Sequence, residues 1–419
     1  MCDLGRVLRL DARRSALLFA VPVLAAIGVA AAWRTLIPGV AYWDDAVMAV
    51  SASARVLGPA AAAFAAWVGM RERRLDYLRG LTVRSPATGP LLDLALLTAT
   101  TLAAYGLVTV VIAGQTVLRE EAGRLRPLGL LVGAATLLLY VVSGYLAGRL
   151  LPRPLIVPAT AVAAALWAWL RHDGHSWWRL LPPADLGHVE LFTYPRTGVL
   201  AHQVLWSLSL STALVLGYVL AAGRRELSTL PLAVPLATAL VVAAVSTKRL
   251  HDYDGAAVLP SPTGLACREW PLTVCVHPAL RTALPSLVAE VTPLAARLTG
   301  TPGAFIRVEQ RPAHEPVSIE GGVAHIHLSD LANGYEQRVE DEIRGGLVDE
   351  RACADPRRAR SAAYTLMVNA WLLDHEPQNA PGTAAARRFA SWDEQQRRAW
   401  LRLHFADYRR CALVESHFR

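Results

Sequence analysis

Apolar runs long enough to cross a bilayer recur through roughly the first 246 residues of this chain and then stop. A hydrocarbon core of about 30 Å takes roughly 20 apolar residues as helix, and the pattern predicts spans at 15–32, 50–70, 91–114, 128–150, 154–170, 199–222 and 230–245. The fifth and seventh are short, and Pro231 and Pro235 near its start make the seventh the weakest. Downstream the period changes. Residues 272–277 and 305–309 alternate as strands do, and 317–328 reads as a hairpin turning at Gly321–Gly322. Leu284, Leu287, Val288, Val291, Leu294 and Leu298 recur at helical spacing before the stop at Gly300. Helices are expected at 330–343, 356–374, 383–389 and 392–413, with Ser391 and Glu394 forming a capping box for the last. The expected fold class is an α-helical polytopic membrane domain of about seven spans (1–246), a linker (247–264) and a small α+β domain (265–419).

Charge adds an orientation. With the N-terminus inside, cytoplasmic segments receive 13 arginines (6, 9, 13, 14, 71, 73, 74, 79, 84, 149, 153, 224, 225) and outside loops 7 (34, 119, 124, 126, 171, 179, 196). The positive-inside bias therefore predicts N-terminus in and, with seven spans, an extracytoplasmic C-terminal domain. With six spans that domain would be cytoplasmic. The first span lacks a small-x-small cleavage site and is followed by others, so it does not read as a signal peptide. The net charge of +8 sits entirely in the membrane half, because residues from Thr247 onward hold 21 basic and 21 acidic side chains. That distribution argues against nucleic-acid binding.

Cysteine placement bears on the same question. Cys2 precedes the first span, whereas Cys267, Cys275, Cys353 and Cys411 all lie in the soluble part. An even count in an oxidising compartment suggests two disulfides with three possible connectivities. The pairing Cys267–Cys275 and Cys353–Cys411 is favoured; four buried thiols in a cytoplasmic domain are the alternative.

Candidate chemistry is sparse. No phosphate-binding G-x-x-x-x-G-K-[ST] loop occurs, and the single lysine is Lys248, so ATP-driven work would need another polypeptide. Arg55 is expected to snorkel toward Asp44 or Asp45, with Asp93 and His202 near span ends. No span carries a mid-bilayer proton relay. Gly58 and the alanines that follow it, together with Gly144 and Gly148, permit close helix packing. In the soluble part, His325 and His327 share a strand face and are weak metal candidates, with His314, Glu320 or Asp330 as conceivable partners. Glu340, Asp341 and Glu342, flanked by Arg338 and Arg344, read as a solvated helix face. No G-x-S-x-G elbow or complete catalytic set is present, so neither enzyme activity nor a cofactor is expected.

The most specific local signal is the charged, helix-compatible stretch 71–81 that continues the second span. Together with the basic segment Arg6–Arg14 and the Trp- and Pro-bearing connection 171–198, it resembles the permease subunit of type-2 ABC transporters over about residues 1–225. The resemblance implies a separate ABC ATPase partner, a homodimer or heterodimer in the plasma membrane, and an ATPase-coupling region comprising Arg71, Glu72, Arg73, Arg74, Tyr77 and Arg79. The soluble part resembles gluzincin-type peptidases in element order. It lacks H-E-x-x-H, and both His314-Glu315 and His375-Glu376 run into proline. The alternative makes that domain the working part, an extracytoplasmic ligand- or protein-binding module on a membrane anchor.

Overall fold

The computed structural model describes residues 17–73, 88–119, 122–171, 176–184, 190–222, 230–261, 264–374 and 384–419. The chain is mostly helical, with a small sheet region. It divides into two compact units, one of residues 1–36, 41–189 and 193–261, the other of 37–40, 190–192 and 262–419.

Among the described residues the first unit holds seven apolar helices, α1 (Leu17–Thr35), α2 (Trp43–Arg73), α3 (Thr88–Leu118), α4 (Pro127–Leu150), α5 (Ile156–Trp169), α6 (Thr197–Ala222) and α7 (Leu230–Asp252). Five, α2, α3, α4, α6 and α7, are long and apolar enough to cross a membrane. The described part of α1, Phe19–Thr35, and the 14-residue α5 are shorter. At 1.5 Å per residue α5 reaches about 21 Å. The proline-bearing α7 is instead continuous. Pro231 lies in the first turn, where the missing N–H would find no intrahelical partner, and Pro235 only just beyond it.

Helices α2 and α4 form the most extensive helix pair. Their small residues explain it. A Cβ on Gly144 would strike the Ala62 carbonyl, one on Gly148 the Ala66 carbonyl, and one on Gly58 the Tyr140 ring. The two backbones thus approach directly, as small-xxx-small seams allow. Around this seam pack Leu57, Val108, Ile112 and Leu137 on one side and Ala65, Leu97, Val141 and Tyr145 on the other.

The expected linker is ordered through Ser261. Residues 247–252 belong to α7, because Leu250 packs fully buried with Leu180, Val199 and Leu200. Strand β2 (Val258–Pro260) then pairs antiparallel with β1 (Thr193–Pro195), and the unit boundary falls at Ser261.

The second unit carries a five-stranded sheet in the order β3-β4-β5-β7-β6, where β3 is Ala266–Arg268, β4 Thr273–Val276, β5 Arg307–Gln310, β6 Ile319–Glu320 and β7 Val323–Ile326. Strands β4, β5 and β7 run parallel; the edges β3 and β6 are antiparallel. Helix α8 (Leu284–Leu298) makes the β4-to-β5 crossover, and the turn before β7 uses Gly321 and Gly322 at φ +58° and +78°, which side chains resist. Val274, Val276, Val308, Ala324 and Ile326 of the sheet, with Leu287, Val291, Leu294 and Leu298 of α8, are all buried.

Helix α9 (Tyr335–Leu347) follows, with the short α10 (Glu350–Cys353), α11 (Ala359–Leu372), α12 (Ala384–Ser391) and α13 (Glu394–Arg409). Two expectations change here. The capping box of α13 is Asp393 with Gln396, because the Ser391 hydroxyl instead donates to the Arg388 carbonyl and closes α12. Glu340 is not solvated; it is 6 % exposed, on the buried stripe of α9 with Val339, Ile343 and Leu347. Only Asp341 of the acidic trio stands out in solvent, paired with Arg344. Sulfurs join as Cys267–Cys275, across the β3–β4 register, and as Cys353–Cys411.

Candidate functional site

The polar side chains that a membrane-embedded bundle would normally avoid converge near the end of α5. Arg171, two residues beyond α5, is 3 % exposed. Its guanidinium lies 3.4 Å from the centre of the Trp167 ring. Its Nη1 donates to the Leu181 carbonyl at 2.8 Å and to the Pro182 carbonyl, which also accepts from Trp167 Nε1. Its Nη2 is buried without a hydrogen-bond partner. The ionisable neighbours of this guanidinium are Tyr140 of α4 and Arg55 of α2. Arg55 Nη2 donates to the Ala168 carbonyl at 3.0 Å, whereas Asp44, one of its two expected partners beside Asp45, faces Arg126 at 3.5 Å. The Tyr140 hydroxyl is buried and unpartnered.

Gln203 of α6 donates to the Leu180 carbonyl at 2.8 Å and leaves its own Oε1 unpartnered, as does Ser207 its hydroxyl one turn on. Of the eight buried unpartnered side-chain atoms among the described residues, six belong to the first unit. An unsatisfied polar group in hydrocarbon costs several kcal/mol. Four of the six form a polar seam: Arg171 neighbours Tyr140, Arg171 and Gln203 donate to the adjacent carbonyls of Leu181 and Leu180, and Ser207 follows Gln203 by one turn.

A second network ties the opposite ends of these helices. Tyr145 donates to Asp93 Oδ2 at 2.8 Å, and Arg149 Nε donates to the Tyr218 hydroxyl at 2.9 Å. Arg73 donates to the Arg149 and Leu150 carbonyls, so it caps α4. Arg71 lies over the Trp67 ring, 5.6 Å from its centre, and Glu72 is half-buried beside it at the end of α2. Arg74, Tyr77 and Arg79 fall outside the described residues. Among the coupling candidates, Arg73 therefore has a clear local role in joining α2 to α4.

In the second unit, His325 Nδ1 accepts from Arg311 Nε at 3.3 Å. A guanidinium at that distance opposes a cation. The His327 N–H donates to Glu342 at 2.7 Å, and Asp330 is held by Arg338 and the Ala332 N–H. His404, Asp407 and His417 form a cluster with their ligand atoms within 4.8 Å. The positions 404 and 407 share one face of α13, a signal legible in the chain, but His417 joins them only through the terminal turn. The two imidazoles are stacked, 4.6 Å apart and 20° from parallel. Near-parallel rings aim their lone pairs side by side, so a shared ion requires one ring to turn. A cavity of about 260 Å³ opens beside Cys353, lined by Arg344, Glu350, Thr365 and Asn369 among others.

Two buried titratable groups give this unit a testable pH response. His277 is 1 % exposed and accepts the Ala279 N–H at Nδ1; burial pushes it down from 6.5 to about 4. Burial first, then Glu290, pushes Glu340 up from 4.5 to about 7. For His277 the unfolded chain binds more protons, so its contribution is lost as pH falls from 6.5 toward 4. For Glu340 the folded chain binds more, and its contribution is lost as pH rises from 4.5 through 7. The two slopes oppose each other between these limits. His277→Asn, which keeps a capping acceptor, is expected to leave a unit that gains stability on acidification. Glu340→Gln is expected to leave one that loses it. Each effect reaches about 3 kcal/mol. Parallel melting profiles from pH 4.5 to 7 for both variants would refute the assignment.

Comparisons with protein-family models, with curated proteins and with solved structures find no match to this chain. The helices themselves define the class: five apolar helices make this a membrane-embedded helical protein. Its second unit is a small α+β assembly.

Proposed function

We propose that the chain is a permease-like subunit of an ABC-type transporter, acting with a separate ATPase in the cell membrane. In this reading all seven apolar helices cross, the N-terminus is cytoplasmic and the second unit is extracytoplasmic. The observation that carries it is the polar seam of Arg171, Tyr140, Gln203 and Ser207 within the bundle. A passive anchor has no use for buried unsatisfied polar atoms, whereas a solute path requires them. The substrate path would lie along that seam.

Chain parity supports the topology. The second unit takes in 37–40, between α1 and α2, and 190–192, between α5 and α6. Six apolar helices separate the first peptide from Pro262 and two separate the other. Even numbers of crossings return a chain to the same side. Two disulfides in the second unit fit an oxidising compartment.

The test is reconstitution with the ATPase. Arg71→Glu, Arg74→Glu and Arg79→Glu together are expected to abolish ATPase binding and ATP-dependent transport. Arg73 is left intact because it caps α4. Full ATPase binding and transport by the triple variant would sink the coupling assignment. A second reading, an anchored extracytoplasmic binding module, draws support from the cavity beside Cys353. It predicts that the phenotype survives disruption of the seam.

A further inference from the structure

We propose that the end of α5 is an oxyanion site, in which Arg171 and Tyr140 donate to a carboxylate or phosphate group beside Arg55. A guanidinium cannot shed its proton in a protein, so burial leaves Arg171 charged. Buried charges are ordinarily paired with an opposite charge. Its hydrogen-bond partners are instead the neutral carbonyls of Leu181 and Pro182, both taken by Nη1. Its charged neighbour is a second cation, Arg55. The half-buried Arg55 adds a like charge beside it, which raises the cost of burying Arg171 further.

The free polar atoms have the matching sense. Arg171 Nη2 and the Tyr140 hydroxyl are both buried and unpartnered, and both can donate. Tyr140 is 6 % exposed, its ring held over Gly58, where a Cβ could not fit. The two bonds held by Nη1 and the ring of Trp167 under the guanidinium fix its plane. A fixed guanidinium fork with one free arm is suited to an oxygen-rich anion. The seam's Gln203 Oε1 and Ser207 hydroxyl can then receive donors from the rest of a polar ligand.

Such an anion has two sources, a solute moving along the seam or a lipid headgroup reaching it. The solute assignment rests on the transport reading; the binding itself does not, and its test needs no ATPase. The full chain is placed in phosphatidylcholine nanodiscs and its melting temperature followed as inorganic phosphate or acetate is titrated. A parallel arm omits added anion and replaces part of the phosphatidylcholine with phosphatidylglycerol. Stabilisation in the first arm identifies a solute site, and stabilisation in the second alone identifies a lipid-headgroup site. In whichever arm responds, Tyr140→Phe and Arg171→Lys are expected to weaken apparent affinity about 10-fold or more, as loss of a charge-assisted hydrogen bond does. Tyr140→Phe keeps the ring over Gly58, so it serves if Arg171→Lys fails to fold. No stabilisation in either arm, or equal affinity in wild type and Tyr140→Phe, overturns the site. Intact anion binding together with full ATPase binding and transport by the Arg71, Arg74 and Arg79 charge-reversal variant would instead count against the transporter reading alone.

Discussion

Gly148→Leu is expected to prevent the helical bundle from forming, giving aggregated protein on size exclusion in detergent. A Cβ at this position would meet the carbonyl oxygen, carbonyl carbon and Cα of Ala66, all backbone atoms. No rotamer change relieves such a clash; α2 and α4 must separate. Separation would open the packing of Ala61, Ala65, Leu97, Val141 and Tyr145 along the same seam. Overpacking a well-filled interior costs about 1–3 kcal/mol even where side chains give way, and here the backbone must move. Gly148→Ala should therefore already lower the melting temperature, and Gly144→Ala likewise against Ala62. Gly106 and Gly217 supply the control, because a Cβ at either meets nothing within 4 Å. Gly106→Leu is expected to melt as wild type. Equal damage from Gly106→Leu and Gly148→Leu would mean that close approach is not the cause.

Removal of the Cys353–Cys411 bond is expected to be the most damaging single change in the second unit. The bond closes a loop of 58 residues, against 8 for Cys267–Cys275. Loop-closure entropy assigns these about 4 and about 2.5 kcal/mol respectively. The longer loop also encloses α11, α12 and α13, whose aromatic cluster of Trp371, Phe389, Trp392 and Trp400 closes on Phe418. Those rings bring together segments distant in sequence, which the cross-link holds near one another in the unfolded chain. Cys353→Ser should thus lower the unit's unfolding midpoint more than Cys267→Ser. The reverse order in denaturant melts would contradict the loop-length argument.

How much of this was legible in the chain depends on the range of the interactions involved. The apolar runs report helices because hydrophobic spacing is a local property, and the glycine pair at Gly321–Gly322 reports the β6–β7 turn just as locally. In the chain Lys248 and Arg249 suggest an exit from the helix, whereas the burial of Leu250 carries α7 on through them. Glu340 was legible after all. It lies three residues before Ile343 and seven before Leu347, on the apolar stripe, and its flanking charges masked that position. Arg171 gave no such signal. It reads as one more loop arginine, and only the packing of α2, α4 and α5 turns it inward. Arg73 is similar: its role follows from where α4 ends, which no local pattern reveals. The His404, Asp407 and His417 cluster depends on the terminal turn folding back, again a tertiary fact.

The second unit is discontinuous, and that has a consequence for synthesis and for dissection. Its peptide 37–40 leaves the ribosome long before Pro262, and 190–192 follows well ahead of the sheet. Both must wait, unfolded or provisionally held, until the last strands and helices emerge. The Pro38 carbonyl then accepts the Leu331 N–H at 2.9 Å, and the Phe192 ring meets the edge of His277. A fragment beginning at Pro262 would lack both. Excising the second unit at Pro262 therefore removes the carbonyl that accepts the Leu331 N–H and the ring packed on His277, and a faithful minimal domain needs those two early peptides supplied with it.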